Sequence, residues 1–192
     1  MKTLKRRHPQ HPLELQQICR WVRNANSILE IGSRYGENLR FLAASMKGNR
    51  LVAVDFPDQE QHNDSDAIQS LTHICGCLND GLTGQGNGGY NVTLIIGDSH
   101  HPDTLSHVAE LAPFDVVFID GDHSYEGVKQ DWRYYGPMGR EVIFHDINPE
   151  NGLGVSKLWA EIIAQNNGTY EVSEFIAGGS PMGIGMVTRE FC

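Results

Sequence analysis

Basic residues are scarce: 15 Lys and Arg face 24 Asp and Glu in 192 residues, a formal net charge of -9. Lys2, Lys5, Arg6 and Arg7 all precede the first acid, Glu14, so the remainder is more acidic still. Such a body repels phosphate backbones, and a nucleic-acid partner is not expected. No apolar run approaches the ~18 residues of a membrane helix, and the basic start lacks the apolar stretch of a signal peptide. A cytoplasmic protein with no membrane partner is therefore expected. Cysteine is also rare: Cys19, Cys75, Cys77 and Cys192 form no C-x-x-C pair, so a disulfide framework is not expected. Cys75 and Cys77 are expected as a buried pair of thiols near a helix end. There is no internal repeat, and the G-x-G-x-x-G fingerprint is missing.

What the chain does have is 40% hydrophobic residues, enough for a packed core, in a length that fits one domain over 1–192 with a helical extension over 1–26. Apolar runs of strand length recur at 27–31, 51–55, 92–97, 114–120 and 141–146. Helix-length stretches lie between and beyond them, at 37–46, 66–78, 104–111, 125–135 and 155–165. This alternation predicts an α/β fold, a doubly wound and mostly parallel sheet with strands buried on both faces. Two more runs, 170–176 and 183–188, have no helix between them and predict a C-terminal antiparallel hairpin, making seven strands. At the other end, Leu13, Ile18, Trp21 and Val22 predict the apolar stripe of a helix. The stretch 79–91 carries five glycines and no phosphate-loop lysine, so it is expected as a surface loop.

Polar chemistry gathers at the strand ends. Gly32 and Gly36 punctuate a strand-to-helix turn, where Gly32 allows close approach to a ligand and the free amides of the helix start can hold a carboxylate. Ser33 and Tyr35 of the same turn are counted with them as cofactor contacts. Glu30 stands where it can meet an α-amino group, Asp55 where it can accept from ribose hydroxyls, and Asp98 and Ser99 where they can meet adenine. An Asp98 that caps a helix is the alternative. Asp120 and Asp146 end neighbouring strands and can share a hard cation such as Mg²⁺, with His123 beside them as general base; the alternative is that these residues cap turns and helices.

The runs Glu30-Ile31-Gly32-Ser33-Arg34-Tyr35-Gly36 and Phe118-Ile119-Asp120-Gly121-Asp122-His123-Ser124-Tyr125-Glu126-Gly127-Val128 resemble the cephalosporin-hydroxylase-like and macrocin-O-methyltransferase-like group of class I methyltransferases. With His145-Asp146, the resemblance spans roughly residues 27 to 190. It implies a Rossmann-like methyltransferase fold, S-adenosylmethionine (SAM) as cofactor, Mg²⁺, and O-methylation of a small-molecule hydroxyl. By motif position it gives Asp120 and Asp146 to the metal and proton abstraction to His123, with Asp120 counted in the catalytic pair. Some relatives carry an acid where His145 stands, so His145 is a ligand or supports one. Glu37-Asn38 departs from the small and hydroxyl residues common after Gly36.

Two other functions compete. An NAD-dependent oxidoreductase would also use Asp55 on a ribose, and a non-catalytic SAM-binding protein would keep the cofactor residues alone. The acceptor is expected to meet the loops 56–65, 147–154 and 178–182. A homo-oligomer is allowed but not specified.

Overall fold

The computed structural model describes residues 11–56, 65–81 and 89–189. The basic first seven residues, most of the loop after Phe56, the centre of the glycine-rich stretch and Cys192 lie outside the described residues.

Every expected strand forms, with ends within two residues of expectation: β1 (Ser27–Ile31), β2 (Arg50–Asp55), β3 (Asn91–Ile96), β4 (Phe114–Ile119), β5 (Gly139–His145), β6 (Tyr170–Phe175) and β7 (Ile184–Arg189). Helices α1 (Pro12–Val22), α2 (Glu37–Ser45), α3 (Ser65–Asn79), α4 (Pro102–Leu111), α5 (Tyr125–Tyr135) and α6 (Gly154–Gln165) accompany them. The strands make one sheet in the order β3-β2-β1-β4-β5-β7-β6. The first five run parallel, and β7 enters antiparallel between β5 and β6, closing the expected hairpin.

Alternate strand residues feed two cores. Leu29, Ile31, Val52, Val54, Val117 and Ile119 pack beneath α4, α5 and α6. Ile28, Leu51, Ala53, Val116 and Phe118 pack beneath α1, α2 and α3. Each fully buried Ile, Leu or Phe contributes roughly 1.5 to 3 kcal/mol. The chain winds outward from β1 to β3 and then returns to β4 on the other side of β1, so the crossovers diverge at the carboxyl ends of β1 and β4. A ligand crevice opens at such a point.

Three expectations need correction. As the outermost strand, β3 is not buried on both faces, and Ile96 is 48% exposed. Cys75 is buried but Cys77 is not, because residues two apart on a helix point to different faces; Cys77 Sγ instead meets His73 Nε2 at 3.6 Å. In α1, Leu13 is exposed while Glu14 is fully buried. Glu14, Ile18 and Val22 are spaced by four, so the acid lies on the core face. It is kept there by two backbone amides, those of Ala177 at 3.3 Å and Gly183 at 3.1 Å, which donate to Oε1. These amides are the two ends of the β6–β7 loop.

Glu14→Ala leaves both amides without an acceptor. Urea unfolding should show a loss of about 1 to 3 kcal/mol, and Glu14→Gln, which keeps a carbonyl, should lose clearly less.

Candidate functional site

The crevice is built first by backbone geometry. Gly32 follows β1 with φ +88°, and a Cβ there would stand 2.3 Å from the Asp120 carbonyl oxygen. The close approach expected toward a ligand is thus an approach to the neighbouring strand end: β1 and β4 meet where only glycine fits. Gly36 begins α2 in the left-handed region at φ +77°, and among the described residues no side chain caps the helix. The first amides of α2 therefore keep the capacity to bind an anion such as a carboxylate.

Glu30 is fully buried at the base of this turn. Its Oε2 accepts the Ser33 hydroxyl at 2.7 Å, and its Oε1 has no hydrogen-bond partner among the described residues. Burial, with smaller contributions from the Asp120 and Asp55 charges, pushes its carboxyl up to about 8 against the opposing Ser33 hydrogen bond. A cationic amine is the group such an oxygen would take. Asp55 accepts the Arg34 amide, and the Tyr35 carbonyl accepts the Ser70 hydroxyl of α3 at 3.1 Å. Arg34 lies 5.5 Å from the Tyr35 ring centroid.

Past β3, the Asp98 side chain is 52% exposed, and its Oδ1 accepts the His100 amide at 2.9 Å. Asp98 thus caps its turn at that oxygen. The hydroxyl of Ser99 is already engaged, donating to Asp131 Oδ1 at 2.9 Å. Of the expected cofactor residues, Glu30, Gly32, Ser33, Tyr35, Gly36 and Asp55 gather around the β1–α2 turn. Asp98 and Ser99 form a separate wall.

The parallel register of β4 and β5 pairs Ile119 with Phe144, so the residues that follow are delivered side by side. Asp146 sits just past β5 at φ +63°, a conformation costing about 1 to 3 kcal/mol in a non-glycine residue. Asp120 Oδ1 and Asp146 Oδ2 converge on two imidazoles. His123 Nε2 is 3.4 Å from each oxygen, and His145 Nδ1 is 3.3 and 3.2 Å from them. Ligand atoms of Asp120, His123 and Asp146 all lie within 4.8 Å of one another.

Neither ring nitrogen of His145 makes an aligned hydrogen bond among the described residues. Two carboxylates with a poorly satisfied buried imidazole make a donor set that fits a divalent cation. The imidazoles differ in access: the His123 side chain is 42% exposed and that of His145 only 7%. Burial pushes the Asp120 carboxyl up, but His145 and then His123 outweigh it and hold it well below the usual carboxylate range. The hydrogen bond to Asp120 raises His123. Burial opposes the charge on His145, yet the Asp120 and Asp146 carboxylates raise it.

Sequence reasoning missed several supports. Asn38, noted only as a departure, donates from Nδ2 to Asp120 Oδ2 at 3.1 Å. Gly154 lets the start of α6 lie against the start of α5, since a Cβ would stand 1.9 Å from the Tyr125 amide nitrogen. Its amide donates to the His123 carbonyl at 2.9 Å, fixing that loop. Asp131 on α5 is fully buried and faces Ser99 and His100. Its place in the helix was legible, but its partners are about 30 residues away and carry no local signal. Of the expected acceptor loops, 147–154 and 178–182 come together: the Asn148 amide donates to the Met182 carbonyl at 2.7 Å and its Nδ2 to the Ser180 carbonyl at 2.9 Å.

A family model described as a methyltransferase domain matches residues 29–147. Solved structures of similar fold include cofactor-bound Rv0187 from MTB, with a TM-score of 0.69, 16% identity, and coverage of 95% of this chain and 82% of that one. The O-methyltransferase from Bacillus cereus in complex with SAH has a TM-score of 0.63 and 19% identity, covering 95% and 83%. TomG from Streptomyces achromogenes, an O-methyltransferase of tomaymycin synthesis in complex with SAM, has a TM-score of 0.65 and 18% identity, covering 97% and 83%. At such identities the likeness is one of fold. No curated protein matches the sequence. No described helix is long and apolar enough to cross a membrane.

Glu30 supplies a pH test. The folded chain keeps its proton up to about pH 8, whereas an unfolded Glu releases it near 4.5. The folded state binds more protons in that window, so stability falls as pH rises through it, by up to about 1.4 kcal/mol per pH unit. Glu30→Gln stays neutral and should flatten this part of the slope. Urea unfolding of both proteins at intervals across the window isolates the group by difference, and parallel curves would remove Glu30 as its source.

Proposed function

This chain belongs to the methyltransferase-domain family, and from that premise we propose that it uses SAM to methylate a hydroxyl of a small molecule such as a sugar, phenol or natural product, with a divalent cation at the acceptor. What carries the proposal is the pair of carboxylates at adjacent strand ends with two imidazoles of unequal exposure upon them.

Donor residues divide by chemistry. The free amides at the start of α2 suit the carboxylate of the methionine end, Glu30 its ammonium, and Asp55 the ribose hydroxyls. Gly32, Ser33, Tyr35 and Gly36 shape that turn, while Asp98 and Ser99 stand at the purine end. Asp120 and Asp146 would hold Mg²⁺, with His145 as a further ligand or as support for them. The cation would supply charge neutralisation at the acceptor oxygen.

His123 is the imidazole that an acceptor can reach. Its Nε2 takes the hydroxyl proton, and the Asp120 and Asp146 carboxylates facing that atom stabilise the resulting imidazolium. SAM held beside the acceptor would supply the methyl group to its oxygen and would leave as the neutral thioether. His145 lies buried against both carboxylates, where it would ligate the cation or support them. The small-molecule acceptor would lie against the joined 147–154 and 178–182 loops.

Two measurements test the proposal. Calorimetry with Mg²⁺ or Mn²⁺ should give binding heat that an Asp120→Asn, Asp146→Asn double variant loses; equal heats would leave the carboxylates as caps alone. His123→Ala should lower turnover about 10²- to 10⁴-fold with SAM affinity nearly unchanged, assayed on acceptors found by screening hydroxylated sugars and phenols. A fall in SAM binding equal to the fall in rate would make His123 a cofactor contact instead.

A further inference from the structure

Asp131 takes no part in the chemistry above, yet it is a fully buried acid beside the crevice. Its Oδ1 accepts the Ser99 hydroxyl at 2.9 Å and lies 3.2 Å from His100 Nε2. Its Oδ2 has no hydrogen-bond partner among the described residues and lies against Gly121, where a Cβ would stand 3.5 Å from it. Two more groups of α5 grip the same turn: the Tyr135 hydroxyl donates to the Ser99 carbonyl at 2.5 Å, and the Gly127 carbonyl lies 3.2 Å from His100 Nε2. Burial pushes the Asp131 carboxyl up to about 6 against the opposing Ser99 and His100 contacts.

An apolar residue would fill this position without desolvating an acid or stranding an oxygen. Packing alone therefore does not favour Asp131. What the acid provides is direction, since it fixes Ser99 and His100 on either side of one oxygen, and the His100 amide in turn fixes Asp98 Oδ1. The exposed edge of Asp98 is oriented from α5 through these two residues.

We propose that Asp131 is a positioning residue for purine selectivity: by fixing Ser99 and His100 it sets the Asp98 edge that accepts the exocyclic amine of the donor's adenine. The inference rests on the SAM reading and adds to it the residue that determines which purine is taken. A 6-oxo purine offers an acceptor where the amine offers a donor, so a correctly held carboxylate repels it.

The test is calorimetry on the full chain with two probes, S-adenosylhomocysteine and its 6-oxo analogue S-inosylhomocysteine. Wild type should prefer the adenosyl probe by at least about tenfold, the scale of one hydrogen bond to a charged group. Asp131→Ala should bring the preference within about threefold, whereas Asp131→Asn, which keeps an acceptor for Ser99, should retain most of it. Should the alanine variant fail to fold, Ser99→Ala and His100→Ala remove the same contacts from the loop side and should erode the preference together. An unchanged preference in folded variants overturns the inference, as does an equal loss of both probes, the mark of a merely structural role. A wild type that binds the adenosyl probe without preferring it also overturns the inference and leaves the SAM reading standing. A wild type that binds neither probe removes the SAM reading itself.

Discussion

Between Gly32 and the Asp120 carbonyl there is no room for a methyl group, and the geometry of the whole edge follows from that contact. It lets the ends of β1 and β4 close on each other just as their crossovers diverge, so the crevice above them has a narrow backbone floor. Because β4 is held there, its register with β5 fixes where Asp146 emerges relative to Asp120. A side chain at position 32 would wedge the strand ends apart and disturb both the β1–α2 turn and the carboxylate pair. One small residue thus links the donor side of the edge to its acid–imidazole side.

Gathering acids at one sheet edge is electrostatically unfavourable, and the molecule resolves it differently at each position. No cation among the described residues offsets the burial of Glu30, which keeps it protonated to about 8. Asp120, whose side chain keeps 15% of its surface exposed, has His123 and His145 and stays ionised. Asp98 remains half exposed, where solvent screens it. Two acids at one sheet edge therefore differ widely in proton affinity, one kept neutral by burial and the other kept charged by its imidazole neighbours.

Most of the fold could be seen in the sequence because parallel α/β architecture leaves local marks: apolar strand runs, amphipathic stretches between them, and glycines at the turns. The His123 and Asp146 neighbours of Asp120 were legible for the same reason, since strand ends are found by periodicity. What stayed hidden depends on contacts across the chain. Leu13 looked like core, but Glu14 takes that face through amides more than 160 residues away. The run of β3 looked fully buried, but its place at the edge is set by strand order, which local pattern does not encode. Asn38 and Asp131 are ordinary polar helix residues until the fold brings them to Asp120 and Ser99.

Glu14 and Asp131 share a further property: each is a fully buried acid that reaches from a helix to a loop at the carboxyl edge, and each keeps one oxygen without a partner among the described residues. The β3–α4 loop, Gly97-Asp98-Ser99-His100-His101, has no apolar side chain with which to hold a conformation, and half of the β6–β7 loop is glycine or polar. A carboxylate can hold such loops, because it accepts along defined directions and loses much of its hydrogen-bonding energy when its donors move. The incomplete satisfaction of these acids costs stability, and it falls on the β3–α4 and β6–β7 loops. The helices on both faces of the sheet therefore do more than cover it. Through these two acids, α1 and α5 impose on the loops an order that the loops' own sequences do not contain.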